Sequence, residues 1–297
     1  MKELLENKLF TTCIILLCVF VFGKTNSACA KEKNNSWIIN NDIKKLGKGW
    51  YELTGNASLK NVTPKNAENK AILDACRKAL EFHCGVQVTS QTHKTLAKTN
   101  ENVVQNDFIL LSRQTSDGIV LEKKVIDKYL DGSNFEYYVL AKVKVGKQKG
   151  KSDSSFKISA SLNRNSFVNG DSLELTLKST KACNVSVLNI AEGEVYVLFP
   201  NEYMKDNQIK ADTVISIPGE KNKAIGVTFP ATLPKGKKKE LGVIKVIATK
   251  EQFPITDLSK ITPYGTYSVA FKKLRLQILD IPKDQITEFD LQYNISD

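Results

Sequence analysis

Val125-Ile126-Asp127-Lys128-Tyr129-Leu130-Asp131-Gly132-Ser133-Asn134-Phe135-Glu136-Tyr137-Tyr138-Val139 consists of two β-rich runs around a glycine-containing turn, the pattern of a β-hairpin. On its N-terminal side lies a helix. Thr63-Pro64 supplies a hydroxyl cap and a proline for the first turn. Ala67, Ala71, Ile72, Ala75, Cys76, Ala79, Leu80 and His83 follow at helical spacing as one apolar stripe, and Gly85 closes it. Small residues on that stripe predict a helix lying close against a sheet. Strands are expected at residues 50–59, Val86–Thr92, Ile119–Tyr129 and Phe135–Val145. Residues 31–146 are therefore expected to form an α+β domain, one long helix on an antiparallel sheet.

On the C-terminal side, Gly146 to Ser155 contains no apolar residue, and residues 147–155 are expected to be a linker. Beyond it a period of two dominates. Strands are expected at Phe156–Leu162, Ser172–Lys178, Asn184–Ile190, Glu194–Phe199, Val214–Ile217, Ala224–Phe229 and Leu241–Thr249, separated by turn residues. Phe271, Leu274 and Ile278 then share a helical face, and Glu288–Ile295 resembles a strand. Residues 156–297 are expected to be a mainly-β sandwich with a C-terminal helix and strand.

Residues 1–30 differ in kind. Leu9 to Phe22 is an uncharged stretch, short for a membrane span and the right size for the core of a secretory signal. Ala28 and Ala30 offer the small residues a signal peptidase reads, predicting a mature start at Lys31. Two alternatives remain open, lipidation of Cys29 and an uncleaved anchor. The residues before Cys29 lack the aliphatic side chain usual three positions upstream.

Without that segment, 40 basic and 30 acidic residues remain, a balance that favours anionic neighbours. The lysines are scattered, with knots at Lys147, Lys149 and Lys151 and at Lys235, Lys237, Lys238 and Lys239, each beside glycine as in solvated loops. No aromatic-interleaved basic strip exists for a single strand to stack on, so nucleic acid is not expected as a partner. A hydrophobic share of 41% and a charged share of 25% argue against extended disorder.

Cys76, Cys84 and Cys183 remain, with no Cys-x-x-Cys spacing for a metal. Cys76 and Cys84 lie beyond disulfide reach if their segment stays helical, so buried thiols are expected. His83 and His93 are the available neutral-pH bases. His83 next to Cys84 suggests a thiol nucleophile, but adjacent helical residues point in different directions. Asp127, Asp131 and Glu136 flank the hairpin as solvated strand ends. Gly47-Lys48-Gly49 and Gly193-Glu194 are turns without a phosphate-cradling pattern. No catalytic residue, metal site or cofactor is expected.

The candidate site is Phe199-Pro200-Asn201, between strands. Proline pre-sets a turn and asparagine tolerates left-handed backbone. As architecture, this corner holds Phe199 and Tyr203 in the core; as a loop at a sandwich end, it contacts a ligand or partner.

Residues 167–173 (Phe-Val-Asn-Gly-Asp-Ser-Leu), Glu194–Asn201, Ile209, Ile215–Pro218, Ile247–Lys250 and Pro254-Ile255 resemble an envelope family described as domain of unknown function 4384, over roughly Phe156 to Ile255. Gly55-Asn56-Ala57, Ala67–Leu80 and Ser112–Val120 resemble the N-terminal domain of flagellar assembly protein T and related small envelope lipoproteins. These resemblances imply periplasmic or outer-envelope assembly work, and no catalytic residues come with them. The expected function is that of a non-catalytic exported interaction module whose partner is an envelope protein or cell-wall polymer. Membrane attachment is expected only through a lipidated Cys29. The alternatives are an envelope hydrolase or transferase, and a polysaccharide-binding sandwich using Tyr196, Tyr203, Tyr264 and Tyr267.

Overall fold

The structure, a computed structural model, describes residues 36–39, 42–85, 118–191, 194–253, 255, 259–261, 267–269 and 271–297. The signal segment with Ala28, Cys29 and Ala30 lies outside these residues, as do Val86–Thr92, His93 and Tyr264. Among the described residues the chain is mostly β, built from several antiparallel sheets with few helices.

Strands β1 (Lys44–Gly47), β2 (Trp50–Ser58), β3 (Gly118–Asp131) and β4 (Glu136–Lys147) form a four-stranded sheet in the order β1-β2-β4-β3. The β3–β4 hairpin is the one its sequence predicts. Asp131 closes it, because one carboxylate oxygen accepts from the backbone N–H groups of Ser133 and Asn134. Helix α1 (Ser36–Ile39) lies at this sheet, where the Thr54 hydroxyl donates to the Trp37 carbonyl at 3.1 Å.

Helix α2 (Pro64–Cys84) begins and ends as the sequence dictates. The Thr63 side chain accepts from Asn66 N–H, and Gly85 takes left-handed backbone at φ 71°. Ala67, Ala71, Ala75, Cys76 and Ala79 are buried against Tyr51, Leu53, Val139 and Val143. The approach is tightest over Gly55, where a Cβ would fall on the backbone of Ala71 and Ala75. The alanines let the helix backbone come close, while the larger sheet residues supply most of the apolar area removed from water. On the outer side Arg77 bridges Asp74 at 2.6 Å and Glu81 at 2.7 Å.

Two further sheets follow. Strands β5 (Ile158–Leu162), β7 (Leu175–Ser179) and β11 (Val214–Ile217) form one, in the order β11-β7-β5. The larger runs β13 (Ser259–Ile261), β14 (Tyr267–Val269), β9 (Glu194–Phe199), β8 (Cys183–Ala191), β12 (Lys239–Thr249), β15 (Ile286–Ser296), β6 (Ser166–Val168), with β10 (Gln208–Ile209) paired to β8. Every pair is antiparallel except β15 with β6. Ile158, Leu175 and Leu177 of the small sheet share one core with Val185, Val187, Ile244, Val246 and Tyr293 of the large one. On the opposite face of β8 and β12, Leu188, Ile190, Val243 and Ile247 pack with Leu274 and Ile278 of α4 (Phe271–Asp280).

Several expectations change. Ala224–Phe229 is not a strand: α3 (Glu220–Ala224) runs into a turn with Gly226 at φ 86°. Alternation of side chains cannot overrule a glycine that needs left-handed backbone. Strands β6, β10, β13 and β14 are two or three residues long, too short to show a period. The C-terminal strand is no appendage, because β15 pairs with β12 from Thr249↔Ile286 to Lys239↔Ser296 inside the large sheet.

The stretch read as a linker is anchored. Lys147 ends β4, and Gln148 is buried with its amide donating to the carbonyls of Ile278, at 3.2 Å, and Ile281. Asp153 accepts from Lys181 and Lys250, both at 2.8 Å, which drives its carboxyl far below the usual range. Hydrogen bonds and ion pairs hold this segment, and neither leaves an apolar pattern in the sequence. Ile119 and Leu121 of β3 also belong to the core around α4, and Arg275 donates to the Val120 carbonyl at 2.9 Å. The residues on either side of the segment thus share a core, and Trp37–Asp297 forms one compact unit.

Candidate functional site

The Phe199-Pro200-Asn201 corner leaves the end of β9 with a cis Phe199–Pro200 peptide. Phe199 is buried in the core between the two sheets. Asn201 is buried as well, and its side chain makes three hydrogen bonds. Its amide donates to the Leu198 carbonyl at 2.8 Å, and its Oδ1 accepts from Tyr203 and Met204 N–H, both at 2.9 Å. The non-glycine residues with positive φ are Lys48, Asn61, Phe135 and Asp212 among those described, so Asn201 works through hydrogen bonds and not left-handed backbone. Tyr203 departs from the architectural reading. It is 58% exposed, while Met204 takes the buried place beside Phe199.

Tyr203 stands at a cavity of about 800 Å³. One wall is the inner face of the large sheet beyond the part its smaller partner covers. Tyr196, Asn189, Glu240, Gly242 and Tyr293 contribute to it from β9, β8, β12 and β15. The other wall is Leu173 and the irregular segment 225–234, whose first part falls in the expected strand Ala224–Phe229. That segment is tied to the loop before β7: Leu173 N–H donates to Phe229 C=O, Ala231 N–H to Asp171 C=O, and Leu233 N–H to Asn169 Oδ1, at 2.8–2.9 Å. Asp171 in turn receives Val168 N–H and Arg164. The Asn169-Gly170-Asp171 stretch therefore holds the roof of the cavity.

The floor is polar at one point. The Tyr293 hydroxyl donates to Asn189 Oδ1 at 3.2 Å, and its ring meets Phe167 edge-on with centroids 5.6 Å apart. Gly242 lies directly under that ring. Burial pushes the Tyr293 phenol up to about 12, and the charge of Glu240 acts in the same sense against the Asn189 hydrogen bond. The Glu240 side chain is 6% exposed; Oε2 accepts from Lys237 at 2.7 Å, and Oε1 has no hydrogen-bond partner among the described residues. Apolar walls, aromatic rings and one buried carboxylate can hold a compact ligand and fix its orientation.

The other sequence candidates do not meet here. His83 Nδ1 is 2.8 Å from the Tyr51 hydroxyl, with its pKa lowered by burial and by Lys147 and Lys45. Cys76, Cys84 and Cys183 are buried, and burial lifts the Cys76 thiol to about 11, away from thiolate chemistry at neutral pH. Among the described residues no three His, Cys, Asp or Glu gather as metal ligands. Sequence reasoning missed Glu240, Asn189 and Tyr293. An acidic residue opening the apolar strand Leu241–Thr249 was the one available signal. It also missed a buried trio on the opposite face of the sheet, Lys245 with Glu288 at 3.1 Å and Asp290 at 2.8 Å.

Residues 166–252 match the family model described as Domain of unknown function (DUF4384). The matched stretch holds the corner, the roof and Glu240, whereas Tyr293 and Ile295 of the floor lie beyond it. No curated protein matches the chain.

Proposed function

We propose that this chain is a non-catalytic, exported cell-envelope protein that acts by binding, and that the cavity beside the Asn201 corner is its binding element. The observation that carries this is the cavity itself. About 800 Å³ lies within the range of ligand sites, and its walls combine Tyr196, Leu198, Val227 and Phe229 with few polar groups. Export rests on the Leu9–Phe22 stretch with Ala28 and Ala30. The helix-bearing half, with its resemblance to envelope assembly domains, serves as the docking half.

Titration with Nile red, a neutral apolar fluorophore, tests the binding element. Saturable one-to-one binding is expected, weakened about tenfold or more when Ile225→Trp and Leu233→Trp together narrow the mouth. Absence of saturable binding, or indifference to the double substitution, overturns the reading. The intact mass of the native protein tests export: a start at Lys31 supports cleavage, a lipidated Cys29 supports an anchored form, and a retained Met1 counts against processing.

A second reading has one observation in its favour. Tyr196 and Tyr203, two of the four tyrosines expected to stack on a polysaccharide, line this same cavity. Sedimentation with purified cell-wall glycan tests it, and co-sedimentation that survives Tyr196→Ala and Tyr203→Ala together excludes these rings as the platform.

A further inference from the structure

The cavity has a charge of one sign. Among its lining residues Glu240 is the single carboxylate, and no lysine, arginine or histidine joins it. Half of that carboxylate is satisfied by Lys237, whose side chain is 40% exposed and reaches in from outside the lining. The other oxygen, Oε1, is buried without a hydrogen-bond partner among the described residues. A carboxylate only accepts, and a buried acceptor left unpaired carries a desolvation cost that any arriving donor removes. Asn189 does not relieve it: its Oδ1 accepts from Tyr293, and its amide makes no hydrogen bond to Glu240 Oε1. The walls are mainly apolar or aromatic, with Asn201, Thr228 and Thr232 among their neutral polar members, so a donor with a full positive charge gains a charge-assisted bond to Glu240 and the quadrupoles of nearby tyrosines.

We infer that the ligand of this cavity is a small amphiphilic amine, an ammonium or guanidinium on a compact apolar body, with its cation paired to Glu240. This rests on the cavity being a binding element. Size favours a small molecule over a protein surface: the space suits one compact body, and stable protein interfaces spread over far larger areas. The position of Tyr203 and Ile225, both more than half exposed at the cavity, suits contact with the apolar end of such a molecule.

Three matched probes separate the possibilities: 3-phenylpropylamine, 3-phenylpropan-1-ol and 3-phenylpropanoate, titrated calorimetrically into the whole protein at pH 7. The amine is expected to bind at least about tenfold more tightly than the alcohol, as expected of a hydrogen bond to a charged group, and the acid more weakly still. Glu240→Gln is expected to shrink the amine's advantage to about threefold or less. Lys237→Ala, which removes a competing cation from a half-exposed position, is expected to strengthen amine binding and leave the alcohol unchanged. The wild-type series decides the matter even if Glu240→Gln does not fold. An amine that binds no better than the alcohol overturns the inference, as does a Lys237→Ala protein that binds the amine more weakly. Nile red binding in that case leaves the cavity a binding element for uncharged ligands, whereas failure of Nile red as well removes the underlying reading.

Discussion

Gly55 and Gly242 each leave room for a neighbour that a Cβ would displace, and the neighbours differ in kind. Over Gly55 lies helix backbone, the carbonyl of Ala71 and the N–H of Ala75. Over Gly242 lies the end of a side chain, the ring of Tyr293. The first contact belongs to a seam of alanines closed by main chain on both sides. The second belongs to the floor of a cavity, where the ring has space beside it. A region closed by main chain on both sides can only be tight, whereas one closed by a side chain at the border of a cavity has room to shift.

The sharpest test of this contrast is at the corner that joins core and cavity. Phe199→Ala removes a buried ring from the core between the sheets and is expected to cost about 3–5 kcal/mol in urea melts. Asn201→Ala loses three hydrogen bonds and is expected to cost about 1–2 kcal/mol. It also frees Tyr203 and so weakens Nile red binding. An Asn201→Ala protein as stable as the wild type would show that the corner is a contact surface and not a brace.

Gly55→Ala comes next. The added methyl meets backbone that cannot rotate away, so overpacking of about 1–3 kcal/mol is expected, with Nile red affinity unchanged because the seam lies in another core. Gly242→Ala reverses the pattern. Tyr293 swings toward the cavity, stability falls by about 1 kcal/mol, and probe affinity drops. Equal stability losses at the two glycines would break the comparison.

A separate effect lies in alkaline solution. Burial raises the folded pKa of Tyr293 from 10 to about 12, so the folded protein keeps the proton longer than the unfolded chain. The stability this contributes is fully present below pH 10 and is lost as the pH rises through about 12. Tyr293→Phe is expected to lack that part of the decline when urea melts at pH 9 and pH 12 are compared.

Much of the helix-bearing half was legible because its signals are local. Thr63-Pro64, the alanine stripe, Gly85 and the turn at Gly132 each act within a few residues. The longer strands of the second half were legible for the same reason, and Val214–Ile217 falls on the residues expected. The candidate site was legible only at its rim. Phe199 and Asn201 stand in a recognisable turn, but Tyr203 was expected inside and is outside. Ala224–Phe229 looked like a strand because Val227 and Phe229 alternate, although both are buried from an irregular segment that closes the core and the cavity.

By itself the sequence determined the long helix α2, the longer strands, and that Phe199-Pro200-Asn201 makes a corner, because caps, periodicities and turn residues act over a few bonds. Tertiary structure alone decided that β15 enters the large sheet, that residues 147–155 are bound down, and that Glu240, Asn189 and Tyr293 meet on one floor. These three residues lie far apart in sequence and are joined only by strand pairing. Pairing partners depend on the free energy of the whole assembled sheet, a quantity no single stretch of chain contains.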